Sequence, residues 1–143
     1  MIRQMKIEDC IQVAAIDQAC ILNPWTANDF EKALSRPEQH YQVAVIEGRI
    51  AGFAGMMAAA DEADITHIAV LQEYRRQQAA TLLLQALIQQ AQTIGVKTVY
   101  LEVRQQNRSA QAFYQAMNFE QIGIRKNYYT NPAEDAIIMK KEI

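Results

Sequence analysis

The first nine residues mix charge and polarity without a period, and regular patterning begins only after them. Ile11, Ala14, Ala15, Ala19 and Leu22 recur at helical spacing, which predicts a helix with Asp9 at its N-cap and this stripe as its buried face. Asn23-Pro24 breaks it. Thr26-Ala27-Asn28-Asp29 has the form of a capping box, with Asp where Glu is commoner, and opens a second helix through about Leu34 that Ser35-Arg36-Pro37 ends.

The period then changes. Residues 41–46 and 49–58 read as two strands joined in a hairpin at Glu47-Gly48, and a third strand covers residues 63–70. Residues 79–94 return to helical spacing, with Leu83, Ala86, Leu87, Ala91 and Ile94 on one side and Gly95 placed to end the helix. Thr98 to Val103 alternates, Val99, Leu101 and Val103 on one face and Thr98, Tyr100 and Glu102 on the other. A helix over residues 109–117 and strands over 119–125 and 135–140 complete the chain. The expected fold is α/β: a mixed, mostly antiparallel sheet flanked by helices, in which a crossing helix joins two central strands that pair in parallel.

Length and composition narrow what such a fold does. A chain of 143 residues fits a single domain over 1–143. Five glycines stand where average usage gives about ten. At 48, 52, 55, 95 and 123 they rule out the GxGxxG and GxxxxGK[ST] phosphate loops. A net charge of −2 argues against nucleic-acid binding through bulk positive charge. No apolar run approaches the roughly 18 residues of a membrane span. Cys10 and Cys20 form neither a CxxC motif nor a disulfide framework, which points to the reducing cytoplasm. His40 and His67 are far apart and lack paired spacing, so no metal site is expected.

The densest candidate chemistry lies between residues 67 and 83. A strand ends, a turn carries Arg75 and Arg76, and a helix begins whose first amides have no partner within it. Such a turn suits an anion, phosphate above all, although two arginines before a helix are also a common solvated turn. Glu102 stands near the C-terminal end of its strand, where α/β sheets bind ligands, and is either a general base or a half-exposed strand residue. Tyr114 is either a proton donor or a core aromatic beside Phe113. Asn107 is either a helix cap or a polar ligand contact.

These pieces, with Asn23-Pro24-Trp25-Thr26, Asp61-Glu62-Ala63, Ile68-Ala69-Val70, Leu101-Glu102-Val103-Arg104, residues 114–119, Asn127-Tyr128-Tyr129 and residues 134–139, resemble the GNAT family of acetyl-CoA-dependent N-acetyltransferases over almost the whole chain. Within it they are similar to the RimI-type branch, which acetylates the N-terminal alanine of a small-subunit ribosomal protein. The resemblance implies a GNAT-like fold and acetyl-CoA as co-substrate. It implies Ile68, Ala69 and Val70 along the acetyl and pantetheine portion, and Arg75, Arg76, Gln77, Gln78, Ala79 and Ala80 around the pyrophosphate. Asn107 and Tyr114 would also touch the cofactor, with Glu102 as base and Tyr114 as acid. Trp25, Tyr128 and Tyr129 would line a groove for a protein N-terminus, and Glu134 and Asp135 would attract a basic residue near that terminus.

One position departs from the family's phosphate turn: Gln78 stands where it has a glycine. A helical backbone at 78 costs glutamine little, whereas a positive φ favours glycine. Two other readings compete with the peptide acetyltransferase. One is the same chemistry on a small amine or polyamine. The other is a non-catalytic binding module whose phosphate turn has degraded.

Overall fold

A computed structural model describes residues 1–75 and 77–143. In chain order the elements are β1 (Ile2–Gln4), α1 (Cys10–Cys20), α2 (Ala27–Leu34), β2 (Gln39–Ile46), β3 (Arg49–Ala59), β4 (Glu62–Val70), α3 (Ala79–Thr93), β5 (Thr98–Arg104), α4 (Arg108–Ala116), β6 (Glu120–Tyr129) and β7 (Glu134–Glu142). Short 3₁₀ turns precede α1 and follow β4. The seven strands form one sheet in the order β1-β2-β3-β4-β5-β7-β6. Every neighbouring pair is antiparallel except β4–β5, the pair that α3 crosses between.

Local sequence explains most of these boundaries. Thr26 caps α2, its hydroxyl accepting from the Asp29 amide at 3.2 Å while the Asp29 carboxylate accepts from the Thr26 amide at 2.8 Å. Glu47 and Gly48 both have positive φ (52° and 76°), the backbone of a two-residue hairpin whose twist suits the strands it joins. Gly95, at φ 92°, follows α3.

The first helix presents a different face from the one its spacing predicts. Cys10, Val13, Ile16 and Asp17 are buried, while Ile11 and Leu22 are 77% and 56% exposed. Apolar residues occur around most of α1, so periodicity alone selects no face. What fixes it is the fit of Val13 and Ile16 into the sheet and the hydrogen bond from the Trp25 amide to Asp17 Oδ2, 2.9 Å. Asp9 does not cap α1 with its side chain either. Its buried carboxylate accepts from Arg3 Nη1 (2.8 Å), Arg3 Nη2 (3.0 Å) and the Lys6 amide (2.7 Å), and the Arg3 bond above all holds it below the usual carboxylate range. Strand β1 also goes unanticipated, because three residues in a polar segment show no period; pairing with Gln42, Val43 and Ala44 of β2 makes it a strand.

The sheet separates two cores. Helix α3 and the packing side of α4 cover one face through Leu83, Leu84, Leu87, Ala91, Tyr114 and Phe119. Helices α1 and α2 cover the β2–β3–β4 part of the other through Val13, Ile16, Phe30, Val43 and Phe53. On this second side the Tyr41 ring lies over Gly55, its partner across β2–β3, so a methyl group at 55 would enter the ring. Gly55→Ala should therefore lower unfolding stability by about 1–3 kcal/mol, measured by denaturant titration.

Candidate active site

The site begins where the one parallel pair stops. Strands β4 and β5 are bonded only at Glu62↔Thr98, Ala63↔Val99 and Asp64↔Tyr100. Beyond residue 64 they part, and residues 65–70 of β4 run past residues 101–104 of β5 without pairing to them. The wedge between them is a cleft of about 770 Å³, closed by the loop after α1, by the start of α4 and by the end of β6.

Alternation along β5 decides what enters the cleft from each side. Leu101 and Val103 point to the α3–α4 core, so Glu102 points to the opposite face, where its side chain keeps 20% exposure. Tyr114, on α4, reaches the same cleft from the α3–α4 side. A carboxylate and a phenol thus face one cavity from opposite faces of the sheet. Burial first, then the Asp64 carboxylate, pushes Glu102 above the usual carboxylate range, and Arg125, with Nε 3.9 Å from Glu102 Oε1, opposes the shift. Tyr114 is buried against Phe113 and Phe119, and that burial raises its phenol well above the usual value, with a smaller contribution from Tyr129. It stays protonated across the working pH range.

The other expected residues divide into those the cleft includes and those it does not. Trp25, Ile68, Asn107, Tyr128 and Tyr129 line it; Ala69 and Val70 are buried in the strand beyond. Asn107 caps α4, its Oδ1 accepting from the Ala110 amide at 3.2 Å, and so serves as cap and wall together. Tyr128 and Tyr129 stand edge to face, their centroids 5.0 Å apart, with the Arg104 guanidinium 4.2 Å from the Tyr129 centroid.

Glu134 and Asp135 do not reach the cleft. Glu134 accepts from Arg104 Nη1 at 3.2 Å and from the Gln106 amide at 2.8 Å, and Asp135 Oδ1 accepts from the Asn127 amide at 2.8 Å. Both carboxylates fasten the β5–α4 and β6–β7 connections. Both are thus engaged with the fold, apart from the residues that line the cleft.

At the phosphate turn, Arg75 folds back: its Nε donates to the Val70 carbonyl at 3.0 Å and its Nη2 lies 3.8 Å from Cys20 Sγ. Arg76 lies outside the described residues. Gln77 and Gln78 are exposed. The helical ladder of α3 starts with Leu82 N donating to Gln78 O at 3.0 Å, so the amides of Ala79, Ala80 and Thr81 precede it, have no partner among the described residues and can face an anion. These amides and the open strand fit a phosphate-bearing chain threaded through the wedge.

Gln78 itself resolves the question its sequence posed. It takes φ 61°, ψ 19°, a left-handed conformation that glycine adopts without penalty and glutamine does not. Gln78→Gly is therefore expected to stabilise the protein by about 1 kcal/mol, while Gln78→Ala, which keeps a Cβ, gives no such gain. Thermal unfolding of the two variants beside the parent checks this.

Sequence reasoning missed three groups here. His67 lines the cleft inside a ring of Trp25, Phe30, Tyr41 and Phe53, with centroids 4.5, 5.5, 5.8 and 5.9 Å away. Burial lowers it to about 4, so it is a neutral imidazole at physiological pH. Asp17, buried, holds the Trp25 amide and with it the loop that forms one wall. Asp64 stands at the vertex of the wedge; its signal was its alternation with Glu62, which the parallel register carries onto the face of Glu102.

Known proteins agree with this reading of the fold. Residues 10–119 match the acetyltransferase (GNAT) family. A Bacillus subtilis protein is 37% identical over 139 residues, covering 96% of this chain and 92% of its own. The ribosomal protein bS18-alanine N-acetyltransferase of Escherichia coli strain K12 is 37% identical over 126 residues, 87% of this chain and 84% of that one. The crystal structure of the corresponding Escherichia coli enzyme superposes with a TM-score of 0.90 at 34% identity, covering 100% of this chain and 93% of that one. Ard1 from Thermoplasma volcanium shares the fold, with a TM-score of 0.88 at 24% identity over 100% and 97% of the two chains. The splayed parallel pair, the open α3 N-terminus and these similarities lead to one conclusion: the chain belongs to the GNAT family of N-acetyltransferases.

Proposed function

We propose that this enzyme transfers acetyl from acetyl-CoA to the N-terminal α-amine of a protein, the N-terminal alanine of ribosomal protein bS18 being the acceptor that its relatives' names indicate. The observation that carries the reading is the single cleft between β4 and β5 with Glu102 on one face of the sheet and Tyr114 on the other. An amine that adds to the thioester carbonyl from the Glu102 side and a thiolate that leaves the tetrahedral intermediate beside Tyr114 each meet their own proton partner within one cleft.

Acetyl-CoA supplies a thioester carbon open to attack by an amine; the C–N bond forms and the C–S bond breaks. The residues manage position and protons. The edge of residues 65–68 that β5 leaves unpaired holds the acyl end, and the amides of Ala79 and Ala80 hold the pyrophosphate, with Arg75 on the turn before them. Glu102 takes a proton from the α-ammonium, whose ordinary pKa of about 7.7–8.0 leaves it mostly charged at neutral pH. Tyr114 donates its phenolic hydrogen to the departing thiolate and regains a proton from the second one that the nitrogen loses as the amide forms. Trp25, Tyr128 and Tyr129 flank the path of an extended peptide. No nucleic-acid or membrane partner is part of this reading: the net charge is −2, and no helix among the described residues is long and apolar enough to cross a membrane. The enzyme would act in the cytoplasm, where ribosomal proteins are made.

The test is incubation with acetyl-CoA and, separately, a synthetic peptide beginning with alanine and a panel of small amines, read by mass spectrometry. The mass gain of one acetyl group replacing one hydrogen on the peptide N-terminus supports the reading. Acetylation of the amines alone replaces the acceptor, and failure of acetyl-CoA to bind in calorimetry at millimolar concentration replaces the enzyme with a binding module.

A further inference from the structure

The vertex of the wedge carries a residue that the reaction as described leaves unused. Asp64 is the last residue of β4 paired to β5, opposite Tyr100. Glu102 follows Tyr100 by two residues and shares its face, which by ordinary strand spacing puts its Cα roughly 8 Å from that of Asp64. Across β7, Arg125 of β6 approaches Glu102 from the other flank at 3.9 Å.

The remaining polar groups around Glu102 are neutral or already matched. Arg104 is paired with Glu134 at 3.2 Å, and Lys140 with Glu142 at 3.3 Å. Tyr100 donates to Glu62 at 3.2 Å. Tyr128, Tyr129 and Tyr114 hold their protons above the ordinary phenol range, and His67 is neutral. Asp64 makes no ion pair among the described residues. Two charges therefore act on Glu102 from opposite sides, one of each sign.

We propose that Asp64 is a positioning residue for the acyl transfer: from the vertex of the wedge its carboxylate works against the Arg125 guanidinium, and the balance between them sets the pH at which Glu102 accepts a proton. A like charge makes the ionised carboxylate harder to keep and the residue a stronger base; the guanidinium does the reverse. Burial of Glu102 strengthens both effects by limiting screening. The inference rests on Glu102 being the base, but its readout does not need turnover.

The experiment is a ¹³C NMR titration of the Glu102 side-chain carboxyl, assigned by the loss of its signal in Glu102→Gln. Asp64→Asn should move the midpoint down by about half a pH unit or more, and Arg125→Met should move it up by a similar amount. The acidic limb of kcat should follow the same two directions in the peptide assay. A midpoint that stays within 0.1 pH unit of the parent in both variants, roughly the error of such a titration, overturns the proposal, as does a shift of the same sign in both. If the two midpoints move as expected while Glu102→Gln retains full turnover, the electrostatic coupling stands and the assignment of Glu102 as base falls. Both altered side chains are exposed, so the fold should survive each change.

Discussion

Glu102→Gln is expected to lower kcat for an N-terminal peptide by about 10²–10⁴-fold, the usual value of a positioned general base. Glutamine fills the same volume, so the cleft keeps its shape. The change also removes the 3.9 Å pairing with Arg125, which at 57% exposure contributes little to stability. The unfolding midpoint should therefore hold while turnover falls. The KM for acetyl-CoA should change little, because Glu102 faces away from the α3–α4 side on which the thiol leaves. Residual activity should rise with pH as the free amine becomes available without assistance, its ordinary pKa lying near 7.7–8.0. Steady-state kinetics across the pH range test the three kinetic statements, and thermal unfolding tests the midpoint. A fall of less than tenfold, about 1.4 kcal/mol of barrier, would remove Glu102 from the role of base.

How much of this could be read from the sequence differs from element to element. The capping box at Thr26–Asp29, the Glu47-Gly48 hairpin and the alternation of Thr98 to Val103 are local patterns, and each appears in the fold where it was expected. The face of α1 was not legible, because its decisive contact is between Asp17 and a backbone amide eight residues away. Strand β1 depends on a partner some forty residues on. The same division runs through the site. Glu102 and Tyr114 are carried by motif order, and the fold brings them to one cleft. Glu134 and Asp135 look like solvent-facing acids in sequence, yet each fastens a backbone amide, which no local pattern signals. Asp64 acquires its relation to Glu102 only through the register of the parallel pair. Gln78 lay between: its position was marked by family pattern, but its strain depended on a dihedral angle that only the fold supplies.

Tyr114→Phe should lower kcat by about 10²-fold while leaving the KM of both substrates near the parent values. The substitution removes one oxygen and keeps the ring, so the packing on Phe113 (5.2 Å between centroids) and Phe119 (5.8 Å) is preserved. A change in unfolding stability of more than about 1 kcal/mol would instead show that the hydroxyl is a structural partner. The high proton affinity of the buried phenol shapes the rest of the expectation. Because it does not ionise in the working range, its contribution should be constant with pH, and the parent and Tyr114→Phe profiles should run parallel; the Glu102→Gln profile should not. The double variant separates two ways of combining these roles. If proton removal from the amine and proton delivery to the thiolate assist the same transition state, the combined loss should be smaller than the product of the single losses. Losses that multiply would instead mean that the two residues act independently.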